Sequence, residues 1–149
     1  MFDAAEAWSN NWAWGLPLIV LTVLAHAFGL IAIRRGVVLP LSKAFGVRGS
    51  VVALAAIVAT IVLLLTILRA IEAAVWAAAY VALGARADFA SAALYSLSAM
   101  TTYGHADIFL AQHWRLMGAL EALNGMMLFG LTTAFLFAVL QSHWHGPGH

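Results

Sequence analysis

The sequence predicts an all-α membrane protein: three transmembrane helices, one short re-entrant helix, and a polar loop that dips into the membrane with it. Two observations carry this reading. The first is composition. The 149 residues are 64% hydrophobic and only 9% charged, with a mean hydropathy of +0.96, whereas soluble domains carry about 25% charged residues. The second is the spacing of the apolar runs, three of which are long enough to cross a bilayer while a fourth is too short.

The elements follow in order. Trp12 to Ile33 is apolar over about 22 residues, or about 33 Å of helix, enough for one crossing. It ends at Arg34-Arg35-Gly36. Ser50 is a suitable N-cap for the next run, which extends from Val51 to Leu83 before Gly84 stops it. That run is about 50 Å long as a helix, more than the ~30 Å hydrocarbon core, so it must tilt, break or project into water. Asp88 to Met100 is apolar but only about 18 Å long, which suits a re-entrant helix. Asp88 sits at its N-terminus, where a negative charge meets the positive end of the helix dipole. Leu116 to Leu140 supplies the third crossing.

Four of the seven basic residues, Arg34, Arg35, Lys43 and Arg48, fall between the first two runs. The positive-inside rule places that loop in the cytoplasm. The acidic N-terminus and residues 85–113 are then outside, and the C-terminal tail is inside. Trp8, Trp12, Trp14, Trp76 and Trp114 are expected near the outer interface and Trp144 near the inner one. The start of the chain, MFDAAEAW, lacks the basic n-region of a cleaved signal peptide. The expected location is the cell membrane.

The stretch LSAMTTYGHADIF, Leu97 to Phe109, interrupts this apolar chain with polar residues and exposed backbone. Irregular backbone at membrane depth survives only when buried in protein or lining a watery cavity. One chain of this size cannot wall off such a loop, which points to a symmetric ring of subunits around it. A loop that turns carbonyl oxygens toward a central axis is what a cation filter requires, because those dipoles replace the ion's hydration shell. The re-entrant helix would aim its negative C-terminal end at the same axis.

Thr101-Thr102-Tyr103-Gly104-His105-Ala106-Asp107 resembles the T-x-G-Y-G-D signature of tetrameric potassium channels. Asn124 to Phe135, NGMMLFGLTTAF, is similar to the glycine-containing inner helix of the simplest bacterial members. Together with the order of helix, pore helix, filter and inner helix, the resemblance covers residues 50–141, with one extra helix ahead of it. It implies a homotetramer that passively conducts monovalent cations, K+ first, with carbonyls of Thr102, Tyr103, Gly104 and His105 holding the ion and the Thr102 hydroxyl adding a site. It also implies a cavity lined by Met126, Phe129 and Thr133, with Gly125 and Gly130 as hinge or packing glycines. Two positions depart from the signature. His105 replaces a tyrosine, and Ala106 replaces a glycine whose conformation costs a residue with a Cβ about 1 kcal/mol or more. His105 could hydrogen-bond behind the filter near Tyr95 or Ser98, or could sense pH. Asp107 either concentrates cations at the outer mouth or anchors the filter. A poorly selective Na+/K+ pore is the first alternative, and a non-conducting accessory membrane protein is the second.

Other polar residues have structural readings. Arg69 and Glu72, three apart, can pair on one helix face. Glu121 lies at a similar depth to Arg69, and a structural ion pair between Arg69 and Glu121 behind the pore helix is expected, since an unpaired carboxylate in lipid is costly. His26 reads as a hydrogen-bonded packing residue. The tail HWHGPGH, His143 to His149, offers histidines to a transition metal or is a tail without function.

The chain divides into an N-terminal transmembrane helix with its basic loop (1–49), a pore domain (50–141) and a short tail (142–149). No nucleotide-binding loop, activated nucleophile or HExxH site is present, so no enzyme and no cofactor are expected; the ligand is the permeant ion, and the partners are further copies of the chain and lipid, not nucleic acid. The absence of cysteine removes thiol chemistry. One helix ahead of the pore, without an arginine series, cannot form a voltage sensor.

Overall fold

We describe a computed structural model, in which residues 4–44, 51–104 and 108–144 are placed. Among them there are helices and no strands: α1 (Ala4–Ile33), a π-turn (Arg34–Val38), α2 (Leu39–Ala44), α3 (Val51–Ala82), α4 (Phe89–Met100), a 3-10 turn (Gln112–Trp114) and α5 (Arg115–Trp144). The three long helices, spanning Ala5–Leu41, Val51–Ala82 and Gln112–Ser142, are each long and apolar enough to cross a membrane. The short apolar helix α4 lies between the second and third.

The first helix is longer than its apolar run at both ends. Its N-terminal extension docks on the start of α5, as described below. At its other end Arg34, Arg35 and Lys43 lie on helix, not on a loop. The cause of the π-turn is Pro40, which lacks an N–H and whose ring would clash with the carbonyl four residues back, Gly36. Widening the turn relieves this, and the Leu39 N–H bonds to the Arg34 carbonyl, five residues back.

Helix α3 ends as glycine dictates. Gly84 has φ +68°, its N–H donates to the Val81 carbonyl (3.1 Å), and the Ala85 N–H donates to the Tyr80 carbonyl (2.8 Å). This is a Schellman motif with glycine in the left-handed position. The turn that follows delivers Asp88 as N-cap of α4. Its Oδ1 accepts from the Ser91 amide (2.8 Å) and its Oδ2 from the Ser91 hydroxyl (2.5 Å). The Ser91 hydroxyl, and after it the Ser91 amide, hold the Asp88 carboxyl below its ordinary pKa.

Two apolar clusters hold the helices together. One, at the α4 end, joins α3, α4 and α5 through Trp76, Tyr80, Ala92, Met100, Met117 and Leu128. Trp76 and Trp114, expected among the interfacial tryptophans, are inside this cluster, whereas Trp8 and Trp14 are exposed (60% and 52%). The other cluster, at the opposite end, joins α1, α3 and α5 through Leu30, Ile33, Ile57, Ile61, Leu65 and Val139.

Helix α1 is fastened to α5 by a ladder of buried polar groups. Asn11 donates to the His113 carbonyl (2.6 Å) and accepts from the Met117 amide (2.7 Å). The Met117 N–H is one of the orphan donors of the first turn of α5, so α1 caps α5 from outside its own chain segment. Further along, Asn124 Nδ2 donates to Thr22 Oγ1 (2.8 Å). His26 then bridges two helices: Nδ1 hydrogen-bonds Glu72 Oε1 on α3 (2.8 Å) and Nε2 hydrogen-bonds Thr132 Oγ1 on α5 (3.0 Å). Asn11, Thr22 and His26 are spaced by eleven and four residues, about three turns and one turn, and so share a face of α1.

Candidate functional site

The site is built where α4 ends. Thr101 N–H donates to the Leu97 carbonyl (3.1 Å), Thr102 N–H to Ala99 (3.0 Å) and Tyr103 N–H to Ser98 (3.0 Å). The last two form a second Schellman motif, the same device that ends α3. Here the left-handed residue is Thr102, with φ +55°, followed by Gly104 at φ +64°. A residue with a Cβ in that region costs about 1–2 kcal/mol relative to glycine, and strain of this kind gathers at functional sites. The hydroxyls brace the turn: Thr101 Oγ1 donates to the Leu97 carbonyl and Thr102 Oγ1 to the Thr101 carbonyl, both at 2.7 Å. Replacing Thr102 by glycine should raise the unfolding free energy by about 1 kcal/mol, read by thermal or denaturant unfolding in detergent. Loss of stability would show that the threonine hydroxyl, not backbone strain, governs this turn.

Thr101, Thr102, Tyr103 and Gly104 are exposed in the single subunit, Tyr103 by 74%. His105, Ala106 and Asp107 lie outside the described residues. Where the chain resumes, it is pinned to the α3–α4 turn. The Ala111 N–H donates to the Ala85 carbonyl (3.2 Å), Arg86 Nη1 donates to the Phe109 carbonyl (3.0 Å), and the Arg115 guanidinium stands 5.9 Å from the Phe109 ring centre. The loop is therefore held on one side by the end of α4 and on the other by Ala85 and Arg86.

Two features of α5 seat α4. The first is Gly125. A Cβ built there would meet the Met100 backbone, including its carbonyl oxygen, with the Cα at 2.6 Å and the carbonyl carbon at 2.8 Å. The end of α4 thus lies directly on this glycine. Gly130 has nothing within 4 Å of the same position. The two glycines, alike in sequence, have different surroundings: one is a seat and the other is open.

The second feature is Glu121, fully buried. It accepts from the Tyr80 hydroxyl of α3 at 2.6 Å and from the Ser96 hydroxyl of α4. The expected ion pair between Arg69 and Glu121 is corrected by this geometry. Arg69 Nη1 is 3.3 Å from Glu72 Oε2, one turn along its own helix, and Glu72 is shared with His26. Two hydroxyls satisfy Glu121 instead, and they reach it because Tyr80 and Ser96 face it from two helices. Tyr80 is steadied edge-on by Tyr95, with ring centres 5.5 Å apart.

Met126 and Phe129 are exposed by 61% and 70%, and Phe137 by 65%. Thr133 is exposed too, its hydroxyl donating to the Phe129 carbonyl at 2.9 Å. The spacings of three and four residues place all four on one face of α5, which no other helix of the subunit covers. Among the described residues no group of three or more His, Asp or Glu side chains is arranged to hold a metal ion, and the His145 and His149 of the tail lie outside them.

Several of these groups escaped sequence reasoning: Asn11, Thr22, Tyr80, Ser96 and Asn124. The available signal was that polar residues inside apolar spans are expensive and therefore partnered, but their partners are up to about a hundred residues away.

A short capped helix, followed by a braced loop and seated on a glycine of the next long helix, defines a pore-loop membrane protein. The chain belongs to the ion channel family: the family's model matches residues 54–142. That match takes in α3, α4, the loop and α5, and leaves α1 outside. Searches of curated proteins and of solved structures give no match to the chain.

Proposed function

We propose that the protein is a homotetrameric channel for monovalent cations that favours K+ over Na+. In this reading the loops of four copies meet on an axis, and backbone carbonyls of Thr102, Tyr103, Gly104 and His105 replace the water around the ion. The observation that carries it is the seating of α4: a helix too short to cross the membrane is fixed by Asp88 at one end and Gly125 at the other, and delivers the TTYG turn. The exposed TTYG turn and the uncovered Met126–Phe129–Thr133–Phe137 face support assembly. Both are surfaces that further copies would bury, the first around the ion path and the second around a cavity. The basic residues at the α1–α2 end support, by the positive-inside rule, a cytoplasmic position for that end with the N-terminus outside.

His105 and Ala106, which stand where the signature has tyrosine and glycine, favour one second reading, a pore that passes Na+ and K+ comparably. Flux from liposomes in opposed K+ and Na+ gradients separates the two. Preferential K+ flux is the expected result. Comparable Na+ flux would establish the poorly selective pore. No flux from protein shown to be tetrameric would end the conduction reading in favour of an accessory membrane protein.

A further inference from the structure

We propose that α1 is a gating element and that His26 is its latch on α5; this rests on the conduction reading above. An inner helix that opens a pore must bend or swing, and glycine is where a helix yields most readily. The end of α4 occupies the space over Gly125, so α5 cannot bend there without displacing the Met100 backbone. Gly130 is unobstructed. The bend falls at Gly130.

The ladder between α1 and α5 straddles that point. The bonds from Met117 to Asn11 and from Asn124 to Thr22 lie before Gly130. Of the rungs of the ladder described above, the bond between His26 and Thr132 lies after it. Bending at Gly130 moves Thr132 away from α1 and leaves Asn124 in place. The latch bond is therefore a polar link that opening must break.

His26 is well anchored to act this way. Its ring is fully buried, and its other nitrogen is held by Glu72, which Arg69 holds in turn. Glu72 and Arg69 belong to α3, so α5 is tied through the imidazole to both α1 and α3. The other buried carboxyl, Glu121, is occupied with Tyr80 and Ser96. The unbroken helix from Arg115 to Trp144 is the latched arrangement, and the latch holds the pore shut.

Single-channel recording in planar bilayers tests this. Thr132→Val keeps the shape of the side chain and removes the hydroxyl. The open-to-closed ratio should rise about fivefold for each of the four subunits, the effect of losing one hydrogen bond in each, with unitary conductance and the K+/Na+ ratio unchanged. His26→Asn should act in the same direction, and the double variant should go no further than His26→Asn alone. Thr22→Val, which cuts the ladder before Gly130, should lower stability and leave the open-to-closed ratio as in the wild type. An unchanged or lower ratio in Thr132→Val, or an equal rise in Thr22→Val, would overturn the latch.

A second readout does not need ion flow. The chain has no cysteine, so Phe137→Cys is a single reporter on the segment beyond Gly130. Its modification by a charged thiol reagent, followed by mass spectrometry, should be faster when Thr132→Val is added. Equal rates would refute the latch even if the channel conducts. Absence of current with unequal rates would refute conduction and keep the coupling of α1 to α5.

Discussion

Gly125→Ala should reduce cation flux on the order of tenfold or more, while Gly130→Ala leaves the folded pore intact. The difference follows from what each methyl group would meet. At Gly125 the nearest atoms are backbone atoms of Met100, with the Cα at 2.6 Å, and ordinary contact begins at 3.4 Å. No rotamer change can relieve a clash with main chain. Either α4 retreats or α5 shifts away, and overpacking of this kind costs about 1–3 kcal/mol. Better helix propensity returns about 1 kcal/mol, so the net effect is destabilising. The displacement arises one residue before Thr101, at the start of the loop whose carbonyls the proposed filter uses. At Gly130 the added methyl meets open space, so the same propensity gain of about 1 kcal/mol appears as stability, together with a stiffer helix and a lower open-to-closed ratio. Flux assays and unfolding curves on the two variants check both halves. Wild-type flux from Gly125→Ala, in protein of normal stability, would mean that the end of α4 is not a fixed seat for the filter.

The helices were legible because each has a local cause. Apolar run length marks the three spans, Gly84 ends α3 through the left-handed turn that glycine permits, and Asp88 begins α4 by capping it. The π-turn before Pro40 was missed, although its cause is local, because the basic residues around it read as a loop. The site was legible only where its parts are contiguous. TTYG and its flanking helices can be read from the chain, and the likeness of residues 54–142 to the ion channel family has the same origin. The roles of Gly125 and Gly130 could not be separated, since both are glycines in an apolar helix and only the position of Met100 distinguishes them. Glu121 was assigned a charged partner on depth alone. Depth gives the layer in which a group lies but not the direction in which it points. Tyr80 and Ser96 are the groups that face it, and Arg69 faces Glu72. The role of α1 was the least legible. Its polar residues follow one face, yet their partners at Met117, Asn124 and Thr132 belong to a helix about a hundred residues later.

Glu121→Ala should destabilise the fold by about 3–5 kcal/mol, more than any other single change at the site. The carboxyl joins three helices at one point: it is carried by α5, and it accepts from Tyr80 of α3 and Ser96 of α4. Removing it leaves two hydroxyls buried without partners, each costing about 1–3 kcal/mol, in a region where no bulk water can replace the lost bonds. The vacated volume adds a cavity cost. Glu121→Gln has nearly the same shape, and its amide can accept one hydroxyl and donate to the other, so its loss should be about 1 kcal/mol. Tyr80→Phe removes one of the two bonds and should also cost about 1 kcal/mol. Combined with Glu121→Ala it should add nothing further from that bond, since the partner is already gone. Denaturant unfolding of the four proteins gives the order: wild type, then Glu121→Gln and Tyr80→Phe, then Glu121→Ala. A Glu121→Ala protein as stable as Glu121→Gln would mean that the carboxyl is not what joins α4 to its neighbours. The same set links stability to function. Ser96 lies on α4 one turn before the TTYG loop begins, so a carboxyl that fixes Ser96 also fixes where the loop starts. On the proposed K+-selective reading, variants that loosen this joint should lose discrimination between K+ and Na+ before they lose flux altogether, because selectivity requires placed carbonyls and flux requires only a wet path.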